Sequence, residues 1–598
     1  MDTVTISIDG RELSVAKGTT VLQAALEHVI DLPYYCYHPG LGMDGSCRVC
    51  LVKIEMMPKL QVSCSITATD GMVVHTQSDD VVKARAGVFE FLLLNHPLDC
   101  PVCDKGGECP LQDFSYTFGP DNSRMEFERR TFDGAGVKAD VDFGPTLMLN
   151  RNRCIMCTRC ARFMREIDGD AQIGIVTRGN SSEIATFEEQ GVHSLLSGNL
   201  MDVCPVGAIT TRDYRFKSRP WDNPSAVDTI CTQCEKGCNT TAWLKAKPEW
   251  AHGAQLARFT PRFNAEVNQY WMCDIGRFDY HWIEDGARLT RPMLKGADGT
   301  QAAASWDGAL EAVGSALKAG GGAGTHFLLS AHASHEELFA FGRLGQTLLG
   351  DAARNAFSIT WTTSEKPQHP DTKFPIPVVN APNVAGARML GLTDAGPGAA
   401  ANLDGLHAAV DAGGVSVLYV FDPGPAGSLG DMSWVVDARA AGRIQTLIVQ
   451  GVLSTALTAA ADVVLPGACF AEKDASFTNM QGRLQFTSRA IPAPGEALDD
   501  TLIVLRVAAA AGAALDYRTA DDVRGDIAST LPDEPGLIGI ADAAFREPVA
   551  ARHWLQASNP SERVKWDTLF QDLPPVKFVE MLKPRPAASI IPLRAVES

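Results

Sequence analysis

The stretch from His96 to Gln112, HPLDCPVCDKGGECPLQ, contains three closely spaced cysteines, Cys100, Cys103 and Cys109. Three is an unusual number, because disulfides use cysteines in pairs, whereas a tetrahedral metal or a cubane cluster asks for four ligands. His96 precedes Cys100 by four residues, and an imidazole nitrogen can replace a thiolate on iron. A histidine near a cysteine is more often an ordinary surface or core residue. The spacing therefore predicts a metal centre and leaves His96 open as its fourth ligand.

The bulk composition excludes several classes of function. The chain has 598 residues, 45% of them hydrophobic, and a formal net charge of −18, so we expect roughly four globular domains and no nucleic-acid partner, since phosphate binding needs clustered Lys and Arg. No basic segment followed by an apolar run begins the sequence, and the longest apolar stretches are too short to span a bilayer. A cytoplasmic protein that meets a membrane only through partners is predicted.

The cysteines are concentrated in the first half of the chain. Fifteen of the sixteen lie between Cys36 and Cys273, and the exception is Cys469. In a reducing compartment such a set indicates metal binding or redox chemistry rather than disulfides. We expect Cys469 itself to be a small buried apolar side chain.

Three further sets of four cysteines follow from spacing. The first has a C-x10-C-x2-C-x13-C pattern in a glycine-rich loop, which is similar to a plant-type [2Fe–2S] arrangement, and the other two have a tight triplet with a remote fourth cysteine, which is typical of [4Fe–4S] ligation. The sets are Cys36, Cys47, Cys50 and Cys64; Cys154, Cys157, Cys160 and Cys204; and Cys231, Cys234, Cys238 and Cys273. With His96 added to the opening triplet, sixteen ligands serve four clusters. Zinc is the alternative for any single set, because paired CxxC motifs also bind zinc. Arg48, Arg159 and Lys105 lie among the ligands, either to offset cluster charge or as ordinary solvated residues.

Periodicity predicts the surrounding elements. Residues 4–15 alternate around Asp9-Gly10, which indicates a hairpin, and Thr19 or Thr20 is a candidate cap for the next helix, so a β-grasp domain is expected. A helix is predicted over 82–94, an irregular segment over 110–150 and a linker over 218–224. Strands and helices then alternate from 326 to 467, which favours a parallel α/β sheet, while the glycines of 318–324 favour a turn.

Three motifs resemble one family. PYYCYHPGLGMDGSCRVC (33–50), CPVCDKGGECPLQ (100–112) and RCIMCTRCARF (153–163) resemble the signatures of the large iron–sulfur subunit, the G-subunit, of NADH:quinone oxidoreductase (respiratory complex I). Ala161 stands where that family usually has a larger aliphatic residue. The second signature implies that His96 is a ligand, because the histidine upstream of it binds a [4Fe–4S] cluster in that family.

The rest of the chain resembles molybdopterin oxidoreductases such as formate dehydrogenase. ICTQCEKGC (230–238) with Cys273 is similar to their N-terminal [4Fe–4S] module, and VVLPGACFAEKDASFTNMQGRLQ (463–485) to a segment they share. Active relatives bind molybdenum through a cysteine or selenocysteine early in the domain, but no cysteine lies between Cys273 and Cys469. A degenerate domain kept as scaffold, without molybdopterin, is therefore expected.

The resemblance implies an α/β and α+β multidomain fold. The expected parts are a [2Fe–2S] ferredoxin-like β-grasp domain (1–80), a [4Fe–4S] domain with one histidine and three cysteine ligands (81–120), a [4Fe–4S] ferredoxin-like domain (121–217), a molybdopterin-oxidoreductase-type [4Fe–4S] domain (224–285), a degenerate molybdopterin-oxidoreductase-like α/β domain (286–580) and a C-terminal tail (581–598).

The resemblance also implies an electron relay with no catalytic residue of its own. Electrons from a flavin- and NADH-binding partner would cross the Cys36–Cys64 centre, the Cys154–Cys204 cube and the His96 cube toward a quinone-side iron–sulfur subunit, with the Cys231–Cys273 cube off this path. The complex would lie on the cytoplasmic face of the inner (plasma) membrane. The alternatives are a molybdopterin-dependent formate dehydrogenase, an electron-relay subunit of a soluble NAD-linked hydrogenase, and a zinc scaffold.

Overall fold

A five-stranded sheet with one packed helix forms the N-terminal domain in the computed structural model, which describes residues 2–126, 128–133, 138–187, 191–245, 254–393 and 403–542. The strand order is β2-β1-β5-β3-β4. The elements are β1 (Thr3–Ile8), β2 (Arg11–Ala16), α1 (Val21–Glu27), β3 (Leu51–Ile54), β4 (Gln61–Val62) and β5 (Met72–His75). The expected β-grasp arrangement of a sheet carrying a helix and a cysteine-bearing loop is present.

Local sequence explains how this domain begins. Asp9 and Gly10 both have positive φ, 49° and 80°, as a two-residue hairpin turn requires, and β1 pairs antiparallel with β2. Thr20, rather than Thr19, caps α1: its side chain accepts a hydrogen bond from the Gln23 amide, and the Gln23 side chain accepts one from the Thr20 amide. This reciprocal capping box fixes where the helix starts.

Two helices flank the opening cysteine triplet. They are α2 (Asp79–Leu94) and α3 (Pro110–Phe118). The prediction of an irregular segment over 110–150 was wrong for α3, which begins directly after Cys109 with Pro110 at its first turn, a position that proline favours. Leu111 and Phe114 are buried, so tertiary packing stabilises a helix too short to be stable alone.

The next region combines short strands with two short helices. The elements are β6 (Asp140–Asp142), β7 (Leu147–Asn150), α4 (Arg159–Phe163), β8 (Ile173–Val176), β9 (Glu183–Thr186), α5 (Asn199–Val203) and β10 (Ile209–Thr211). Strands β10, β7 and β6 form one sheet, and β8 pairs with β9. A π-helical turn, Met164–Asp168, continues α4.

The predicted linker 218–224 is a packed connection. The side chains of Ser218 and Asn223 are buried, and Ser218 Oγ donates to Asn223 Oδ1 at 2.7 Å. Arg219 Nη2 donates to the Pro101 carbonyl at 3.2 Å, which fastens this segment to the cysteine loop. The prolines break regular structure as expected, but these polar contacts hold the segment in place, so it does not act as a free linker.

A three-stranded antiparallel sheet follows the connection. Its strands are β11 (Ser225–Ile230), β12 (Asn239–Leu244) and β13 (Leu256–Pro261), in that order across the sheet. Helix α6 (Asp274–Phe278) then starts immediately after Cys273. The fourth cysteine set therefore lies in the connection between β11 and β12 and directly before α6.

A seven-stranded sheet organises the C-terminal half. Its order is β15-β14-β20-β19-β18-β16-β17, and the last five strands are parallel, which confirms the predicted parallel α/β sheet. The elements are β14 (Met293–Lys295), β15 (Gln301–Ala303), α7 (Trp306–Gly324), β16 (Thr325–Ser330), α8 (His335–Leu349), β17 (Phe357–Thr360), α9 (Val384–Met389), α10 (Leu403–Asp411), β18 (Val417–Asp422), α11 (Ser433–Ala440), β19 (Thr446–Gly451), α12 (Ala456–Ala460), β20 (Val463–Pro466), β21 (Ala475–Thr478), β22 (Leu484–Thr487), α13 (Asp500–Ala510) and α14 (Ala520–Thr530).

Two expectations about this half need qualification. The glycines of 318–324 were predicted as a turn, but α7 extends to Gly324 and is interrupted at Gly321, where φ is 59° and ψ is −174°. The predicted tail 581–598, and the part of the α/β domain after Asp542, lie outside the described residues. Among the helices of the described ranges, none is long and apolar enough to cross a bilayer.

A buried ion triad supports the α/β domain. Lys473 Nζ lies 2.7 Å from Asp500 Oδ2 and also contacts Glu337, with all three side chains at most 3% exposed. Replacing Lys473 by methionine would leave two carboxylates buried without their cation, which costs roughly 3–5 kcal/mol. We expect a correspondingly lower free energy of unfolding for Lys473→Met, measured by urea denaturation.

The surface pair Lys53–Asp80 is the matched control for this prediction. Its atoms are 3.0 Å apart but its side chains are 48% and 49% exposed, so Lys53→Met should leave the free energy of unfolding nearly unchanged. Equal effects of the two substitutions would contradict the stabilising role of the triad.

Candidate metal centres

Ligands from all four predicted sets lie in one continuous hydrophobic core. The cysteines in this core are Cys50, Cys64, Cys109, Cys157, Cys160, Cys204, Cys231, Cys238 and Cys273. Burial and nearby dipoles affect the stability of thiolates and clusters. All four sites share one hydrophobic core, so each has ligands in a buried, apolar environment. The tertiary structure therefore joins the four sets in a single packed unit.

The opening triplet and its histidine line one cavity. A space of about 290 Å³ is bounded by His96, Cys100, Cys103 and Cys109 together, and these four residues are called the His96 site below. A single water needs only roughly 10–15 Å³ on the same kind of measure, so the cavity has room for a group of several atoms. The four residues that the sequence groups as candidate ligands therefore line one cavity.

His96 has an unpartnered ring nitrogen at this cavity, as a metal ligand would. Its Nδ1 is buried and has no hydrogen-bond partner among the described residues. Burial, reinforced by the nearby Arg153, lowers the pKa of His96 to about 4, so the ring is neutral at pH 7 and one nitrogen keeps a free lone pair. Neutral imidazole is the form that binds metals, so the residue fits a cluster site.

Glycines leave space for the sulfurs of this site. A Cβ on Gly207 would lie 2.1 Å from Cys103 Sγ, and one on Gly106 would lie 2.7 Å from the Cys100 carbonyl oxygen. The Gly106 amide also donates to the Cys103 carbonyl at 2.8 Å. The backbone can therefore wrap the cysteines only because these two positions lack side chains.

The first cysteine set lies in a loop that needs left-handed residues. Gly42 and Gly45 have φ of 69° and 74°, a region that glycine enters at little cost. The Cys36 sulfur takes part in hydrogen bonds with Cys47 and Cys64, which lower the pKa of Cys36, and a hydrogen bond with Cys64 lowers the pKa of Cys50 to about 7. The four sulfurs are therefore neighbours, as a shared cluster requires.

The second set combines the loop before α4, the first turn of α4 and the end of α5. Met156 and Thr158, which lie between the cysteines of the triplet, both have positive φ, 53° and 64°. Such backbone strain in non-glycine residues is concentrated at functional sites. The Met156 amide donates to Cys154 Sγ at 3.4 Å, and burial raises the pKa of Cys154 to about 12.

The fourth set is closed by a backbone pairing and by α6. The Cys231 amide donates to the Cys238 carbonyl at 2.8 Å, and a Cβ on Gly276 would lie 2.7 Å from Cys231 Sγ. Burial raises the pKa of Cys273 to about 12. Since iron binds the thiolate, loading a cluster at such buried thiols releases protons.

The segment that follows Cys204 connects the second site with the His96 site. The Pro205 carbonyl oxygen lies 3.8 Å from Cys109 Sγ, and Gly207 lies against Cys103 Sγ. Arg153, directly before Cys154, forms an ion pair with Asp99, directly before Cys100, at 2.9 Å. The two sites are therefore adjacent and share one short stretch of backbone.

Other contacts connect the second site with the first and the fourth. Arg159 Nη2 donates to the Tyr37 carbonyl at 2.6 Å, beside Cys36. Asn199 Nδ2 donates to the Met272 carbonyl at 2.8 Å, beside Cys273. Arg159 of α4 therefore fastens the loop of the first site to the second site. Asn199 of α5 does the same for the segment before Cys273 in the fourth site.

Two cationic residues and two histidines outside the predicted ligand sets have different surroundings. Arg48 is exposed, Lys105 Nζ lies 3.9 Å from Glu108, and His75 Nε2 lies 3.0 Å from Glu55. His38 is fully buried and stacks on Trp271 with ring centroids 5.5 Å apart. These contacts give Lys105, His75 and His38 structural surroundings.

Sequence reasoning missed several residues that build the sites. Gly207, Gly276, Arg162 and Trp271 contact ligands or their loops. The glycine two residues after Cys-Pro was a visible signal for Gly207. No signal in one sequence pairs Trp271 with His38, because the two are distant along the chain.

The donor sets fit iron–sulfur clusters, whereas molybdenum finds no thiolate donor. Cys469 has 0% exposure and packs in an apolar cluster with Val452 and Phe470, so it is a buried structural residue, and residues 274–468 contain no cysteine. Across the described ranges, no group of three or more His, Cys, Asp or Glu side chains is arranged to hold a single metal ion. The assignment of clusters rests on the donor types, the cavity and the glycines.

Family models match four segments of the chain. They are described as 2Fe-2S iron-sulfur cluster binding domain (residues 1–79), NADH-ubiquinone oxidoreductase-G iron-sulfur binding region (85–124), NADH-quinone oxidoreductase subunit 3, ferredoxin-like domain (144–210), and Molybdopterin oxidoreductase (378–510). The order of domains predicted from the sequence is therefore confirmed: a [2Fe–2S] domain, [4Fe–4S] regions and a molybdopterin-oxidoreductase domain.

Curated relatives match mainly the cluster-bearing half. The NADH-quinone oxidoreductase G-subunit of Streptomyces coelicolor is 41% identical over 350 residues, 58% of this chain and 40% of the relative. The mitochondrial NADH-ubiquinone oxidoreductase 78 kDa subunit of Candida albicans is 41% identical over 313 residues, 52% of this chain and 42% of the relative. The chain thus spans about two-fifths of the length of these relatives.

A solved structure is also similar, the NAD+-reducing [NiFe]-hydrogenase in the H2-reduced state, with a TM-score of 0.32 and 28% identity over 37% of this chain and 93% of the other. Over its cluster-bearing half the chain is similar to the G-subunits, the large iron–sulfur subunits of NADH-quinone oxidoreductase, both in the curated relatives and in the models that match the cysteine-bearing segments.

Proposed function

We propose that the chain binds one [2Fe–2S] cluster and three [4Fe–4S] clusters through sixteen ligands and relays single electrons within an NADH:quinone oxidoreductase. The ligands are Cys36, Cys47, Cys50 and Cys64 for the first; His96, Cys100, Cys103 and Cys109; Cys154, Cys157, Cys160 and Cys204; and Cys231, Cys234, Cys238 and Cys273 for the others. When bound, such clusters supply reversible one-electron chemistry. The chain's own residues fix the positions of the sites.

The adjacency of the sites is the observation that carries this proposal. Pro205 and Gly207 follow a ligand of the second site and contact sulfurs of the His96 site, while Arg159 connects the second site to the [2Fe–2S] loop. This arrangement supports the order from the [2Fe–2S] site through the Cys154–Cys204 site to the His96 site.

Partners follow from a relay that has no substrate site of its own. The sequence contains neither a P-loop nor a strand-linked GxGxxG, the motifs that would indicate nucleotide or dinucleotide binding. We propose a flavin- and NADH-binding subunit as the electron donor and a quinone-side iron–sulfur subunit as the acceptor. The chain then lies peripherally on the cytoplasmic face of the inner membrane and meets that membrane through its partners.

The Cys231–Cys273 site is proposed to lie off this path and to stabilise its domain. Metal binding is also folding free energy, and the site joins the strands of one sheet to α6. The hydrogen bond from Asn199 of α5 to the Met272 carbonyl would transmit that stability to the second site.

Iron and acid-labile sulfide quantitation, with low-temperature EPR of the reduced protein, tests the proposal. Protein assembled anaerobically should contain the iron and sulfide of one [2Fe–2S] and three [4Fe–4S] centres. Iron-free protein, or colourless protein that contains zinc, would contradict it. Bound molybdenum with formate-dependent dye reduction would favour the formate dehydrogenase alternative, for which the Molybdopterin oxidoreductase match over 378–510 is the supporting observation.

A further inference from the structure

Two arginines of α4 are buried without a carboxylate partner among the described residues. Arg159 is 3% exposed and Arg162 is 4% exposed. Neither forms an ion pair within 4.0 Å with a carboxylate of the described residues. Several other buried arginines do have one: Arg258 pairs with Glu108 at 2.6 Å and Arg288 with Glu472 at 2.7 Å.

Neutral oxygens receive the hydrogen bonds of both guanidinium groups. Arg159 donates to the carbonyls of Tyr37, at 2.6 Å, and Val203, at 3.3 Å. Arg162 donates to the carbonyls of Leu41, at 3.0 Å, and Gly42, at 3.2 Å. Its Nη2 also contacts the Cys36 carbonyl. Most of these acceptors belong to the loop of the first cysteine set.

Burying a cation that contacts only neutral dipoles costs free energy. An isolated charge taken from water into an apolar core costs several kcal/mol unless a counter-charge or several hydrogen bonds compensate it. The hydrogen bonds of Arg159 end on the loops of two cysteine sets, because Tyr37 follows Cys36 and Val203 precedes Cys204. Arg159 itself directly precedes Cys160 in the chain, so an anionic cluster at either site would supply the missing counter-charge.

We propose that Arg159 and Arg162 are counter-cations shared by the Cys36–Cys64 and the Cys154–Cys204 clusters, and that they raise the reduction potentials of both. This inference rests on the proposed function. A thiolate-ligated cluster is anionic and gains a further negative charge on reduction, so a fixed cation nearby stabilises the reduced form. One electron leaves the first site and enters the second, no bond is made or broken, and both guanidinium groups stay protonated.

The test compares a neutral and a cationic replacement of Arg162. Midpoint potentials are measured by EPR-monitored redox titration of the assembled protein. Arg162→Gln should make the reduction equilibrium of both centres about tenfold less favourable, a shift of about 59 mV for a one-electron couple. Arg162→Lys, which keeps the charge, should shift both potentials less. The same pair at Arg159 should show the same order.

Arg48 provides the matched control. It lies between ligands Cys47 and Cys50 but is exposed to solvent, so the effect of Arg48→Gln should shrink as ionic strength rises. The shift caused by Arg162→Gln should persist, because the cation it removes is buried. Salt dependence therefore separates surface charge from the proposed buried counter-cations.

Several outcomes would overturn the inference. Equal shifts for glutamine and lysine would assign these arginines a purely structural role, and unchanged potentials would remove any electrostatic role. If the glutamine variants do not assemble, loss of clusters in the lysine variants as well would show that geometry, not charge, matters. Wild-type protein without iron would instead contradict the proposed function, so the two failures are distinguishable.

Discussion

Replacing His96 by alanine is expected to remove one [4Fe–4S] cluster and to leave the other three centres in place. His96 shares a cavity of about 290 Å³ with Cys100, Cys103 and Cys109, and its Nδ1 has no other partner among the described residues. Without the imidazole, three cysteines must hold the cube, and Cys100 is exposed to solvent. Iron and sulfide should fall by the content of one cube, and one EPR signal should disappear.

Two variants sharpen this prediction. His75→Ala removes a histidine that lies at the surface beside Glu55, 3.0 Å away, and should leave iron content and all EPR signals unchanged. His96→Cys supplies a thiolate in place of the imidazole. This variant should retain the cube at a lower reduction potential, because a thiolate adds negative charge where imidazole is neutral. An unchanged spectrum and iron content in His96→Ala would refute the ligand assignment.

Replacing Gly207 by alanine is expected to disturb two clusters at once. The new Cβ would lie 2.1 Å from Cys103 Sγ and 3.3 Å from Lys105 Cβ, and the first of these is closer than any van der Waals contact allows. A free cysteine would rotate away, but a cysteine that binds iron is fixed, so the backbone after Cys204 must move. We expect loss of the His96 cube and an altered signal from the Cys154–Cys204 cube, measured by EPR and iron content.

Gly525→Ala is the matched control for this steric argument. Gly525 lies within α14 (Ala520–Thr530), and a Cβ there meets nothing within 4 Å. Alanine should leave every cluster intact and stabilise the helix by up to about 1 kcal/mol. Full cluster content in Gly207→Ala would show that the two sites are not packed against each other as described.

Cysteine spacing predicts the candidate cluster sites, and the iron–sulfur domain models match the segments that contain three of the four sets. An iron–sulfur cluster takes four protein ligands. That number predicts a remote fourth cysteine for each tight triplet, or an upstream histidine where the fourth cysteine is missing. Ligands within a triplet are close along the chain, so local sequence is enough to group them. The parallel sheet was equally visible, because strand and helix periodicities alternate over long segments.

Elements stabilised by distant contacts were not predictable. Helix α3 forms where the sequence looked irregular, because Leu111 and Phe114 are buried. The segment 218–224 packs against the cysteine loop through Arg219. In both cases, contacts between residues far apart in sequence outweigh local propensity.

The sequence by itself determined which residues are candidate metal ligands, since ligand chemistry depends on residue type and short spacing. Only the tertiary structure decided how the sites lie relative to one another. Gly207 touches Cys103, and Arg162 reaches the carbonyl of Leu41, across separations that no local pattern encodes. Close packing in one core is what brings these groups together, and packing is a property of the folded chain.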